Sequence, residues 1–236
     1  MLRSVFKLYT LFNAGKIKTL PQHEVNPGLD KSSRENYLYF TLPPSINFQR
    51  SSPAMWKAAL GTFEDSKTKY IFLPEEVVKS SRKRIQFDLM KHKLALQRNK
   101  HTDIWIAISM VMHKLFKDDP RELLKMGKWD VLKVQELIRA KQIPYLQGPK
   151  MSNYWLYILS HYTDARFTNM QEISIIPDTH VLQSSVKLGL TDQTTSPLVV
   201  AKLWKELLAG SGIYPVDMHP VLWNWSRNNF SPNVSD

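Results

Sequence analysis

The chain has 236 residues, 43% hydrophobic and 11% aromatic, which supplies a packed core for one or two lobes and excludes a disordered polymer. It contains no cysteine; disulfides, thiol nucleophiles, thiolate zinc sites and cysteine-ligated iron–sulfur clusters are therefore excluded, and the protein reads as intracellular. Lys and Arg outnumber Asp and Glu by 32 to 21, for a net charge of +11, a balance that favours polyanions, nucleic acid first among them. A basic surface without a partner is the competing reading.

No stretch approaches the roughly twenty apolar residues of a membrane span, so no membrane partner is expected. The opening segment MLRSVFKLYTLFNAGKIKTL carries Arg3, Lys7, Lys16 and Lys18 with no acid before Glu24. It loosely resembles an amphipathic mitochondrial-type targeting peptide, although an ordinary helix is the preferred reading. Pro21, Pro27 and Gly28 break the following stretch into a linker, so residues 1–35 read as an N-terminal extension and 36–236 as the folded core.

Residues 37–41 read as a short extended piece ended by Pro43 and Pro44, and Ser51 or Ser52 caps a helix through AMWKAAL. Residues 74–99 read as one amphipathic basic helix, with Val77, Val78, Ile85 and Leu89 on its apolar side and Lys79, Arg82, Lys83, Arg84, Lys91 and Arg98 on the other. Its charge run is either a solvated face or a phosphate-facing flank. Thr102 or Asp103 caps a core helix, DIWIAISMVMHKLF, in which His113 reads as a core or boundary histidine.

Asp119 and Pro120 open a short helix that Gly127 stops, and residues 129–140 form another. An aromatic helix follows from Pro149 or Lys150 to about Ser160, then helices near 178–188, 197–209 and 216–227. No run of alternating strands interrupts this succession, and the fold is expected to be mainly α. The seven histidines form no helical pair with an acid at metal-ligand spacing, so no metal is expected.

Two segments carry candidate chemistry. In IPYLQGPKMS (143–152) a helix end, a turn at Gly148 and a new helix form a hairpin whose free amides suit a phosphate. Lys150 stands at the mouth of that second helix, where the dipole and neighbouring apolar side chains would disfavour its ammonium and leave a nucleophilic amine. The segment IIPDTHVLQSSVKLGL (175–190) supplies Asp178.

GPKMSN, with Gly148, Lys150 and Asn153, resembles the hairpin glycine, catalytic lysine and following helix of the helix-hairpin-helix DNA glycosylases. IIPDTHV resembles the family's segment leading to its essential aspartate. AKLWKELLAGSGIYPVDMHPVLWNWSR (201–227) is most similar to the archaeal 8-oxoguanine glycosylases. The resemblance covers about 137–227; the N-terminal half matches only in helical character.

The resemblance implies a two-lobed helical glycosylase-like fold with a cleft between the lobes and the hairpin near 143–152. It implies a monomeric base-excision DNA glycosylase with AP lyase activity, acting without a cofactor on an oxidised purine such as 8-oxoguanine in damaged double-stranded DNA. Lys150 would attack the sugar C1′ and form a Schiff base, and Asp178 would stabilise oxocarbenium-like charge and accept a proton. Gln147, Gly148 and Ser152 would contact the DNA backbone. A flipped base would enter a pocket drawn from Gln49, Trp56, Tyr154, His219 and Trp223.

The chain departs from the family pattern in three places. Lys150 and Asp178 are 28 positions apart, so residues 162–174 read as an insertion. The hairpin has Gly148 alone where the family has two glycines. His219 stands where the archaeal branch places a base-pocket carboxylate, with Asp217 displaced. Two rival readings follow: a queuosine-type nucleoside hydrolase, suggested by SINFQRSSPAMWKAAL (45–60), in which Lys150 need not be covalent, and a non-catalytic DNA-binding relative.

Overall fold

The computed structural model describes residues 1–19, 25–47 and 50–234, and it is mainly helical: among these residues no β-strand forms, only an isolated bridge between Asp130 and Thr168. In chain order the helices are α1 (Leu2–Asn13), α2 (Arg34–Thr41), α3 (Ser52–Glu64), α4 (Pro74–Val77), α5 (Arg82–Lys91) and α6 (Arg98–Phe116). They continue with α7 (Pro120–Met126), α8 (Val131–Ala140), α9 (Pro149–Tyr162), α10 (Thr179–Lys187), α11 (Pro197–Leu208) and α12 (Met218–Arg227). None of the described helices is long and apolar enough to cross a membrane.

The chain divides into two compact units: a continuous one, Gln22–Thr168, and a composite one made of Met1–Pro21 and Asn169–Asp236. The continuous unit is built around aromatic side chains. Residues 37–41 are helical rather than extended, because the Ser33 side chain accepts a hydrogen bond from the Asn36 amide at 3.2 Å and caps α2, all of whose residues from Asn36 to the end are buried. Aromatic residues have weak helix propensity, and burial on every side overrides it.

Tyr39 stacks on Phe72 at 5.6 Å, and Trp105 meets the same ring edge-on at 5.6 Å. Each buried indole in this core finds an acceptor: Trp105 Nε1 donates to the Ile71 carbonyl at 2.8 Å and Trp155 Nε1 to Thr41 Oγ1 at 3.0 Å, so burial of these large rings leaves no donor unpaired.

The basic segment expected as one helix is two, separated at 78–81, because the Ser81 side chain accepts from the Arg84 amide at 3.3 Å and starts α5 afresh. Helix α6 begins at Arg98, so Thr102 and Asp103 are not its caps: the Thr102 hydroxyl donates back to the Arg98 carbonyl at 2.6 Å, and Asp103 pairs with Arg82 at 2.9 Å. His113 lies at the surface, with Nδ1 2.8 Å from Asp118 Oδ1, rather than in the core.

Helix α7 matches its sequence signals. Asp119 accepts from the Arg121 amide at 2.9 Å, and Gly127 follows the last turn. A Cβ at Gly127 would stand 2.5 Å from Val134 Cγ2 and 3.1 Å from the Val134 backbone. Gly127→Ala is therefore expected to destabilise by about 1–3 kcal/mol, read in urea unfolding, with partial recovery when Val134 is also cut to Ala.

His101 in α6 is fully buried, and its Nδ1 accepts the Leu96 amide at 3.2 Å. Desolvation, reinforced by Arg50 and Lys100, lowers its pKa; protonation would also set two N–H groups facing each other. Because the unfolded histidine takes up its proton near the ordinary value of about 6.5 and the folded one does so only at lower pH, stability is expected to fall as pH drops below that value, by up to about 1.4 kcal/mol per pH unit. Melting at pH 7.5 and pH 5 reads this: the wild type should lose more than His101→Gln, and equal losses would refute the assignment.

The composite unit packs Val5 and Leu8 of α1 with Val181, Val200, Trp204, Val221, Leu222 and Trp225. The first residues, read from sequence as an extension, thus place a packed helix in this core. Trp204 Nε1 donates to Ser185 Oγ at 2.8 Å, and Ser184 Oγ donates to the Leu222 carbonyl at 3.0 Å, tying α10 to α12. The extended backbone at Asp178 and the start of α12 lie at one end of this pair.

Candidate active-site residues

Lys150 belongs to the continuous unit and Asp178 to the composite unit. In the continuous unit, α8 and α9 form the hairpin expected from IPYLQGPKMS. The Ile143 amide closes α8 on the Ile138 carbonyl at 3.0 Å, and buried Ile143 and Leu146 anchor the connection. The left-handed backbone positions are Gln142 (φ 50°) and Tyr145 (φ 65°), whereas Gly148 has φ −71° and open space where a Cβ would lie. Gly148 thus serves as the N-cap of α9 and is not required by strain.

Helix α9 has no side-chain cap and no acidic residue in its first turn. Pro149 has no amide hydrogen, and the first helical bond runs from the Ser152 amide to the Gly148 carbonyl at 3.0 Å, leaving the Lys150 and Met151 amides without a helical acceptor. The positive end of the dipole is therefore open to an anion. Lys150 and Gln147 are exposed there, so the burial that the sequence suggested for the lysine is missing: its apolar neighbours turn inward while its amine reaches solvent. Ser152 is buried, its hydroxyl donating to the Pro149 carbonyl at 3.3 Å.

One turn beyond Lys150, on the same helix face, half-buried Tyr154 accepts a hydrogen bond from Trp56 Nε1 at 3.1 Å and lies 3.2 Å from Ser52 Oγ. Trp56 is fully buried against Tyr39 and Phe40. Its ring faces are therefore part of the core, and its indole N–H acts through Tyr154. Gln49, the remaining base-pocket expectation in this half, lies outside the described residues.

In the composite unit, Asp178 is the N-cap of α10: Oδ1 accepts the Val181 amide at 2.9 Å. Oδ2 faces His219 Nε2 at 3.9 Å, within ion-pair reach but beyond a direct hydrogen bond. The Ile176 carbonyl holds both residues, accepting the Asp178 amide at 2.8 Å and His219 Nδ1 at 3.1 Å. A carbonyl only accepts, so Nδ1 carries a hydrogen, and a protonated imidazole would present its second N–H to the carboxylate.

Trp223 follows His219 by one turn of α12. His180 packs edge-on against it at 5.4 Å, and the Arg227 guanidinium lies 4.7 Å from the ring centroid. Gln183 Oε1 accepts the Ser226 hydroxyl at 3.1 Å, so the Ser226 oxygen receives the proton of His180 Nδ1 at 3.1 Å and fixes that ring. The sequence reading missed His180 and Arg227; the four-residue step from Trp223 to Arg227 is the signal that finds the arginine.

The structure thus brings Lys150 together with Tyr154 above Trp56, Asp178 with His219, and Trp223 with His180 and Arg227. Among the described residues no cluster of three His, Cys, Asp or Glu suited to a metal forms. No protein-family model matches the chain, and no curated protein matches it.

Proposed function

We propose that the protein is a base-excision DNA glycosylase with AP lyase activity, directed at an oxidised purine such as 8-oxoguanine, in a two-lobed helix-hairpin-helix architecture. The observation that carries the reading is the Asp178 carboxylate, held by the cap of α10 with its second oxygen facing His219 at 3.9 Å. The uncapped start of α9 bearing Lys150, on a chain of net charge +11, adds a seat for a DNA phosphate.

In this reading Asp178 stabilises positive charge on the sugar as the base departs. The Lys150 amine, its ammonium proton passed to solvent, forms the bond to C1′ as the base leaves; the C1′–O4′ bond then opens, O4′ takes up the proton that the nitrogen sheds and stays as the C4′ hydroxyl, and a Schiff base is left. Lys150 is exposed in the free protein, so the desolvation that would activate its amine belongs to the DNA-bound state, where the nucleic acid displaces solvent.

That same exposure favours a second reading, a glycosylase in which Asp178 activates water and Lys150 only anchors phosphate. Borohydride reduction separates the two. The wild type is incubated with duplexes carrying 8-oxoguanine or an abasic site: a reduced covalent adduct supports the lyase, excision without an adduct supports the hydrolytic enzyme, and neither product refutes both.

A further inference from the structure

Helix α5 exposes an aromatic ring in a field of cations. Phe87 is 72% exposed, on the side of the helix opposite buried Ile85 and Leu89, and Met90 beside it is 38% exposed. Between residues 79 and 100 the chain carries Lys79, Arg82, Lys83, Arg84, Lys91, Lys93, Arg98 and Lys100; Lys79, Arg82, Arg84 and Lys91 lie within ion-pair reach of Glu76, Asp103, Asp88 and Asp65, which leaves the group with more cations than acids. Asp88 is buried, accepts the Tyr70 hydroxyl at 2.8 Å and lies 3.8 Å from Arg84, so it offers little charge to the surface.

Isolated exposed apolar residues are ordinary. The position of the cations is not. Arg82, Lys83 and Arg84 fill the first turn of α5, which holds no acid, and there the helix dipole opposes positive charge. Arg98 Nε donates to Gln86 Oε1 at 2.9 Å and Gln86 Nε2 donates to the Arg98 carbonyl at 3.2 Å, which fastens the start of α6 to α5. The first turn of α6 also lacks an acid. The start of α6 is thus fastened to α5 at Gln86, the residue before the exposed ring, and an anionic strand would neutralise the surplus cations while a base meets Phe87.

We infer that this face of the continuous unit binds a DNA strand, with its phosphates on Lys83 and the neighbouring cations and an unpaired base stacked on Phe87. The inference does not rest on the catalytic reading. Charge complementarity and the flat ring between cations select single-stranded or locally unpaired DNA over an intact duplex, whose bases are stacked on one another.

The test is fluorescence anisotropy with the full-length protein and labelled oligo(dT), a duplex of equal length, and phosphatidylserine vesicles. Phe87→Ala is expected to weaken oligo(dT) binding about tenfold with a smaller effect on the duplex, while its melting temperature stays at the wild-type value. Lys83→Ala is expected to lower the slope of log affinity against log salt by about 0.7, the loss of one single-strand phosphate contact. Wild-type affinity in both variants, or capture by vesicles without binding to oligo(dT), would overturn the inference. Loss of binding in these variants of a protein that excises no base would leave this surface standing and remove the glycosylase reading; excision by a protein whose variants bind oligo(dT) unchanged would do the reverse.

Discussion

Asp178→Asn is expected to reduce base excision at least about a hundredfold, the ordinary scale for a lost proton-transfer group, while leaving the fold intact. The separation is possible because the residue has two jobs on two oxygens. Oδ1 caps α10 through the Val181 amide at 2.9 Å, and Oδ2 faces His219 at 3.9 Å. Asparagine caps as well as aspartate, so unfolding should shift little. It cannot carry the negative charge that a developing oxocarbenium ion requires, and it turns an N–H or a neutral oxygen toward the histidine. Asp178→Ala loses the cap too and is expected to cost about 1 kcal/mol of stability besides the activity. Single-turnover excision from an 8-oxoguanine duplex, with urea unfolding of the same preparations, reads both; an asparagine variant that excises at full rate would remove Asp178 from the chemistry.

Lys150→Ala is expected to abolish the borohydride-trapped adduct with no loss of stability. The side chain is exposed, so truncation opens no cavity, and removing a cation from the first turn of α9 relieves an unfavourable interaction with the dipole. Lys150→Arg is the sharper companion. It keeps the positive charge for a phosphate but never supplies a neutral amine, so it should retain DNA affinity while forming no adduct. An adduct that persists in either variant would place the nucleophile elsewhere. Excision that survives in both while trapping was absent from the start would mark Lys150 as an anchor alone.

The elements that read correctly from sequence are those whose ends are written in local chemistry. Asp119, Pro120 and Gly127 delimit α7, and Gly148 with Pro149 opens α9. The misread elements depend on partners remote in sequence. Helix α2 contains NYLYF, a string with strand-like composition that becomes helical because every side of it is buried. The break at 78–81 turns on one serine hydroxyl reaching the Arg84 amide. Candidate site residues divide in the same way. Asp178 at the start of a helix was legible through the resemblance of IIPDTHV to a glycosylase segment, whereas its role as the cap of α10 emerges only from the bond to the Val181 amide. Its engagement by His219 was not legible, since it requires the Ile176 carbonyl to reach a histidine 43 positions away. Trp56 read as a ring for stacking, and only the packing of Tyr39 and Phe40 reveals that it is sealed.

The composite unit has a consequence for synthesis. Its α1 must wait for α11 and α12 before Val5 and Leu8 meet Trp204 and Trp225, whereas Gln22–Thr168 is one uninterrupted stretch. At translation rates of about 5–20 residues per second, the first helix leaves the ribosome roughly 10–40 s before its partners exist, with its apolar stripe uncovered. The intervening unit can reach its native packing meanwhile. The continuous unit is therefore complete first, and the step that closes the other core brings α1 onto α10, α11 and α12.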